Sequence, residues 1–254
     1  MTEEIDEKLC RATVPCRRET EFNTAEGKQC PLGPEIYHRT LPENFKKIAE
    51  ERVLKPSERT DTVSFSTCPT HAVGGTVKLV FDRDEVEKNV KLRQMCYVLG
   101  KEGEKVLYEI EKSTADIDRA FAKHGVQPKV FENECEIVSD TQVPVKGLKK
   151  VELTLDWWPY AYRIGCENKY PHHIDLSGWS SPIRLEDWKR TIKEVKEKSE
   201  KLGVPFELKT CFNSMRLGFG RYVELNKENL KRLERGEDPV EQSEPPEEKC
   251  YCTE

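Results

Sequence analysis

The chain has 254 residues, 36% hydrophobic and 35% charged, with 42 basic against 47 acidic side chains and a formal net charge of −5. That composition supports a folded core under a heavily solvated surface, as one large domain or a domain of about 150 residues with additions. No long Lys/Arg block announces a dominant nucleic-acid surface, no apolar run approaches the ~18 residues of a membrane span, and Met1 to Glu7 lacks the layout of a signal peptide, so a cytoplasmic protein with no membrane partner is expected.

The ten cysteines include no Cys-x-x-Cys knuckle and read as reduced thiols. Cys250 and Cys252 offer two thiolates where a closed zinc site needs about four ligands. His172 and His173 are adjacent, which points their rings apart on an extended chain, so no metal is expected there either.

In chain order, residues 1–33 form a polar, turn-rich arm carrying Cys10, Cys16 and Cys30, and Pro31-Leu32-Gly33-Pro34 blocks helix at its end. Ile36-Tyr37-His38 reads as a strand end. Thr40-Leu41-Pro42-Glu43 reads as a capping box opening a helix with Phe45, Ile48, Ala49 and Val53 on its apolar side. Residues 62–67 alternate hydroxyl and apolar positions, Pro69 and Gly74-Gly75 break the chain, and Thr76 to Phe81 forms a stronger strand. A short helix or turn over 82–86, a strand over 105–110 and a helix opened by Ser113 and closed by Gly125 follow.

The segment Val130 to Val138 sets Glu132, Glu134 and Glu136 on one face of a strand and Phe131, Cys135 and Ile137 on the other. Residues 148–155 alternate again. Residues 156–182 are aromatic and irregular, and fit core and edge packing better than a base-stacking platform. Ser181-Pro182 then opens a helix with Leu185, Trp188, Ile192, Val195 and Leu202 on one stripe, closed by Gly203 and Pro205. Residues 206–212 and 219–225 are strand candidates, and Asn226 caps a last helix. From Gly236 the Glu/Pro-rich composition predicts no packed contacts. Many non-local strands with few helices predict an α+β fold of packed antiparallel strands.

The order Tyr37-His38-Arg39-Thr40, then Ser64-Phe65-Ser66-Thr67, then Glu132-Asn133-Glu134-Cys135-Glu136 resembles the ADP-ribosyltransferase superfamily. Its poly-ADP-ribose-polymerase-like and diphtheria-toxin-like branches carry a Tyr-His-Gly-Thr-like motif, a serine-bearing strand and a late catalytic glutamate. The resemblance spans roughly residues 34–155. It implies an ADP-ribosyltransferase-like split β-sheet core with flanking helices over 34–235, extended from about 156, between the arm at 1–33 and a flexible acidic tail at 236–254.

The resemblance also implies NAD as cofactor and transfer of ADP-ribose to an acceptor that is a protein, a nucleic acid or a small molecule. His38 would hydrogen-bond a ribose hydroxyl, Thr40 would help hold the adenosine side within Tyr37 to Thr40, and Ser64 or Ser66 would support the nicotinamide end. Glu134, which fits either register of a Glu-x-Glu motif, would stabilise the oxocarbenium-like transition state, with Glu132 and Glu136 as the alternatives. Arg39 replaces the motif's usual glycine and puts a bulky cation where the backbone runs close to ligand. Two other readings stay open: an RNA 2′-phosphotransferase-like enzyme, and a non-catalytic protein of the same fold that binds a partner. Structural roles compete at each position: His38 as a residue satisfied by backbone, the serines as ordinary strand alternation, the glutamates as a solvated face.

Overall fold

The computed structural model describes residues 9–15, 33–58, 60–67, 75–99, 102, 105–106, 122–125, 136–155, 173–175, 185–210, 214–218 and 220–246. Its elements begin with β1 (Leu9–Pro15), β2 (Glu35–Thr40), α1 (Pro42–Glu51), β3 (Val53–Leu54), β4 (Val63–Ser66), β5 (Val77–Asp82), α2 (Arg83–Glu87) and β6 (Arg93–Leu99). They continue with β7 (Glu136–Ser139), β8 (Val143–Pro144), β9 (Leu148–Thr154), β10 (His173–Asp175), α3 (Leu185–Leu202), β11 (Phe206–Lys209), β12 (Ser214–Gly218), β13 (Arg221–Glu224), α4 (Lys227–Glu234) and β14 (Glu241–Gln242). The class is α+β, with mostly antiparallel strands and flanking helices, as the sequence predicts.

The chain divides into two compact units that interleave in sequence. The first comprises Met1–Ile36, Leu54–Pro69 and Arg83–Val143, and the second Tyr37–Val53, Thr70–Asp82 and Pro144–Glu254.

In the first unit the strands lie in the order β1-β6-β7-β4, each pair antiparallel. Phe65 of β4 pairs with Ile137 of β7, both 1% exposed, and Gln94 of β6 pairs with Ile137 from the other side. Val86 and Leu92 extend this core. Arg83 is buried with them. Its Nε–H donates to Glu87 Oε1 at 3.0 Å and its backbone N–H to the Pro34 carbonyl at 2.8 Å, so the buried guanidinium has a carboxylate partner.

Two expectations change here. Part of the N-terminal arm is strand β1, because its alternating segment 9–15 finds an antiparallel partner in β6 that local composition cannot reveal. Lys105 and Val106, read as the start of a strand, are helical, and the rest of that segment, 107–110, lies outside the described residues. So does the helix expected from Ser113, apart from 122–124 and Gly125, whose φ of 63° suits a helix end.

The second unit holds the run β2-β5-β9-β11, with β2 from Tyr37 onward, and the sheet β10-β12-β13-β14. Strands β5 and β9 pair antiparallel with a register shift at Val80/Phe81, whereas β9 and β11 pair parallel. A parallel pair needs a crossover, and α3 lies in the connection between them. Helix α3 packs on β9 and β11, with α1 and α4 against it. Trp188, Ile192, Val195 and Ser199 are its buried residues, where the predicted stripe had Leu202 in the last place. The Ser199 hydroxyl is satisfied by donating to the Val204 carbonyl at 2.8 Å.

The capping box predicted at Thr40 does not form: the N-cap is Leu41, with no side-chain cap bond, and Thr40 remains the last residue of β2. Pro42, pre-set for helix, and the Phe45 N–H donating to the Leu41 carbonyl at 2.9 Å start α1 instead. The cap predicted for α4 does form, with Asn226 Oδ1 accepting from the Asn229 N–H at 3.0 Å.

The segment after Gly236 also differs from expectation. Pro239 is buried, Val240 N–H donates to Asn229 Oδ1 at 2.8 Å, and β14 pairs antiparallel with β13. Arg221 and Glu241 add a bidentate ion pair at 2.6 and 2.7 Å. A Glu/Pro-rich composition is thus overridden through 242 by one buried amide and a sheet edge.

Candidate functional site

Ser66 of the serine motif and Glu136, the last residue of the glutamate motif, meet in the first unit. β4 and β7 run antiparallel with Ser66 opposite Glu136, Phe65 opposite Ile137, Ser64 opposite Val138 and Val63 opposite Ser139. Residues directly opposite share a face, and faces alternate with period two. Ser64, Ser66 and Glu136 therefore lie on one face, and the buried Phe65–Ile137 pair lies on the other. Opposed residues have Cβ atoms about 4.5–5.5 Å apart, so the Ser66 hydroxyl and the Glu136 carboxylate are neighbours. Ser66 is 8% exposed and Glu136 is half-buried, which leaves a carboxylate beside a sheltered hydroxyl.

Arg93 stands opposite Val138 and so joins the same face, its Nε 3.2 Å from Asp140 Oδ2 in an exposed pair. The end of β7 is fixed by the fully buried Ser139, whose hydroxyl donates to the Thr141 carbonyl at 3.0 Å and sits 3.3 Å from the Thr141 N–H. Glu132 and Glu134 lie outside the described residues.

The first motif belongs to the second unit. Tyr37, His38 and Arg39 are half-buried on β2, and Thr40 is 5% exposed. Gly75 approaches the Thr40 backbone so closely that a Cβ on it would stand 2.1 Å from the Thr40 carbonyl oxygen, and its φ of 140° is closed to other side chains. The glycine that the sequence showed only as a chain break thus lets the segment before β5 run against the end of the motif.

Beside Tyr37 lies a charged cluster that sequence reading missed. The Lys78 ammonium is 5.4 Å from the Tyr37 ring centroid and 2.5 Å from Glu152 Oε2. Glu152, 3% exposed, also holds Lys150 at 2.7 Å and Lys209 at 3.0 Å, and Glu207 engages the same two lysines at 3.0 and 3.4 Å. The register explains the convergence: Lys78 pairs with Glu152 across β5–β9, and Glu152 with Glu207 across β9–β11.

Burial works to raise the Glu152 carboxyl, but hydrogen bonds from Lys150, Lys78 and Lys209 outweigh it and bring the pKa down to about 2. Burial lowers Lys78, Glu152 opposes that, and the positive charges of Arg39 and Lys209 lower it further. Lys150 is raised: its smaller burial is outweighed by its bonds to Glu152 and Glu207. The one signal in the sequence was a lysine inside the otherwise apolar run Val77-Lys78-Leu79-Val80-Phe81.

Among the described residues no group of three or more His, Cys, Asp or Glu side chains could hold a metal ion, and no helix is long and apolar enough to cross a membrane. His173 and Asp175 fall on β10, while His172, Cys250 and Cys252 lie outside the described residues.

No family model matches the chain, and no curated protein matches it. Among solved structures it is similar to DarT of Thermus sp. 2.9 in complex with carba-NAD+, at 14% identity over 70% of this chain and 96% of that one, with a TM-score of 0.34.

Proposed function

We propose that this chain is an NAD-dependent ADP-ribosyltransferase. The observation that carries the reading is the Ser66–Glu136 pair: the register of β4 and β7 sets Ser66 and Glu136 side by side on one face. Cleavage of the nicotinamide–ribose bond develops positive charge on the ribose. A carboxylate held beside that ring stabilises the oxocarbenium-like transition state, and a neighbouring hydroxyl anchors the nicotinamide end. Glu136 takes the carboxylate role in this reading. Glu134, two residues earlier, would be the other member of a Glu-x-Glu motif.

On the first motif, His38 donates or accepts at a ribose hydroxyl, Thr40 supports the adenosine side and Tyr37 packs against the dinucleotide. Arg39, the cation in place of glycine, contacts a phosphate oxygen of NAD through its guanidinium. The acceptor of the ADP-ribose is a protein, a nucleic acid or a small molecule.

The test is nicotinamide release from NAD, followed by chromatography, together with calorimetric titration of NAD. Release by the wild type that is lost in Glu136→Gln with binding retained supports the assignment, and His38→Ala is expected to weaken NAD binding instead, since a ribose hydrogen bond exists in the ground state too. NAD that neither binds nor loses nicotinamide with any acceptor tried overturns the enzyme reading in favour of a non-catalytic binding protein.

A further inference from the structure

We infer that Lys78 is a positioning residue for the first motif, holding the Tyr37 ring in place through its ammonium while Glu152 keeps that ammonium fixed; this rests on the NAD reading above. A charge at position 78 is expensive where it stands. Its strand neighbours Val77, Leu79, Val80 and Phe81 are all 2% exposed or less, and Lys78 itself is 8% exposed. A buried ion pair in such a strand is commonly no more stable than an apolar pair of the same volume. Core stability therefore does not account for the lysine, and what it touches besides its counter-ion does.

The ammonium lies 2.5 Å from Glu152 and within cation–π range of the Tyr37 ring, at 5.4 Å. Three ammoniums converge on the Glu152 carboxylate, with Glu207 a second acceptor for Lys150 and Lys209. Glu152 is thus anchored by two other lysines and does not depend on Lys78. The dependence runs the other way: of the two glutamates in the cluster, Glu152 is the one that holds Lys78. Fixed at that end, Lys78 presses its charge on the ring from a set direction, and Tyr37 precedes His38 on β2.

Lys78→Met tests this with little threat to folding, because Met matches the stem of the lysine and Glu152 keeps Lys150 and Lys209. NAD is titrated calorimetrically, turnover is followed as nicotinamide release, and the ring is followed by the 19F resonance of fluorotyrosine at position 37, identified by its loss in Tyr37→Phe. The expected result is a shifted resonance and a Kd for NAD raised on the order of 10-fold, the scale of one desolvated cation–π contact, with kcat changed less than about 3-fold. Lys78→Arg, which keeps a cation for the ring, restores both.

Tyr37→Leu closes the cycle. If Lys78 acts through the ring, the double variant Tyr37→Leu/Lys78→Met binds NAD no more weakly than Tyr37→Leu alone, whereas additive losses overturn the proposal. An unmoved resonance and an unchanged Kd in folded Lys78→Met overturn it as well. The two readings separate cleanly: a wild type that does not bind NAD removes the functional reading, while the resonance still reports whether Lys78 positions Tyr37.

Discussion

Ser66 and Glu136 face each other across the antiparallel β4–β7 pair, on the side opposite the buried pair Phe65–Ile137. A one-residue slip of β7 would turn the carboxylate to the face of Phe65, so the apolar pair that locks the register also fixes where the carboxylate points. Packing and proposed chemistry are set by the same four residues.

Replacing Glu136 by Gln keeps size and hydrogen-bonding reach and removes the charge. We expect kcat for nicotinamide release to fall roughly 10²-fold or more with the Kd for NAD little changed, the signature of a group that acts in the transition state. Glu134→Gln and Glu132→Gln are measured beside it. A Glu136→Gln enzyme that turns over normally while Glu134→Gln fails moves the catalytic role two residues upstream and leaves the rest of the reading in place.

Glu152 predicts an acid-sensitive contribution to stability. Its carboxyl is held down to about 2 in the folded protein against the ordinary 4.5 of a glutamate, so the stabilisation is fully present above about 4.5 and is lost as pH falls toward 2. Its size is on the order of 3 kcal/mol. In urea unfolding, Glu152→Gln should be less stable than wild type at pH 7, and the gap should narrow between about pH 4.5 and pH 2. A gap that is constant over that range would show that the ion cluster does not set it.

Gly75→Ala should destabilise the fold by roughly 3 kcal/mol or more, because the new methyl meets the Thr40 carbonyl oxygen and the backbone conformation is closed to alanine. The readout is the urea midpoint. A variant within about 0.5 kcal/mol of wild type would show that the Gly75–Thr40 approach relaxes without cost.

Asn229 ties α4 to the segment after it. It is 4% exposed, its Oδ1 accepts the Val240 N–H and its side-chain N–H donates to the Glu224 carbonyl, both at 2.8 Å. Asn229→Ala should free residues 237–242, seen as faster hydrogen exchange at Val240 and Gln242, with a stability loss of about 1–3 kcal/mol. Asn226→Ala, which removes the α4 cap and the side-chain bond to Glu224 but leaves Asn229 in place, should cost about 1 kcal/mol and leave exchange at Val240 unchanged.

Several features were legible because they depend on a few neighbouring residues. The α3 stripe of Trp188, Ile192 and Val195, its stop at Gly203 with φ 74°, and the Asn226 cap follow from helical periodicity and local backbone chemistry. Period two likewise sets Glu136 on the face opposite Ile137 whichever strand pairs with it. Where two local signals competed at Thr40, the strand kept the threonine and proline started the helix one residue later.

The α+β class, the helix stripes and the face of Glu136 come from the sequence, because periodicity and turn chemistry act over a few residues. That β1 finds β6, that Ser66 and not Ser64 stands opposite Glu136, and that Lys78, Lys150 and Lys209 converge on Glu152 were decided by tertiary structure. Each depends on register between strands far apart in the chain, and register is set by how apolar faces from separate segments pack together, which no short window of sequence contains.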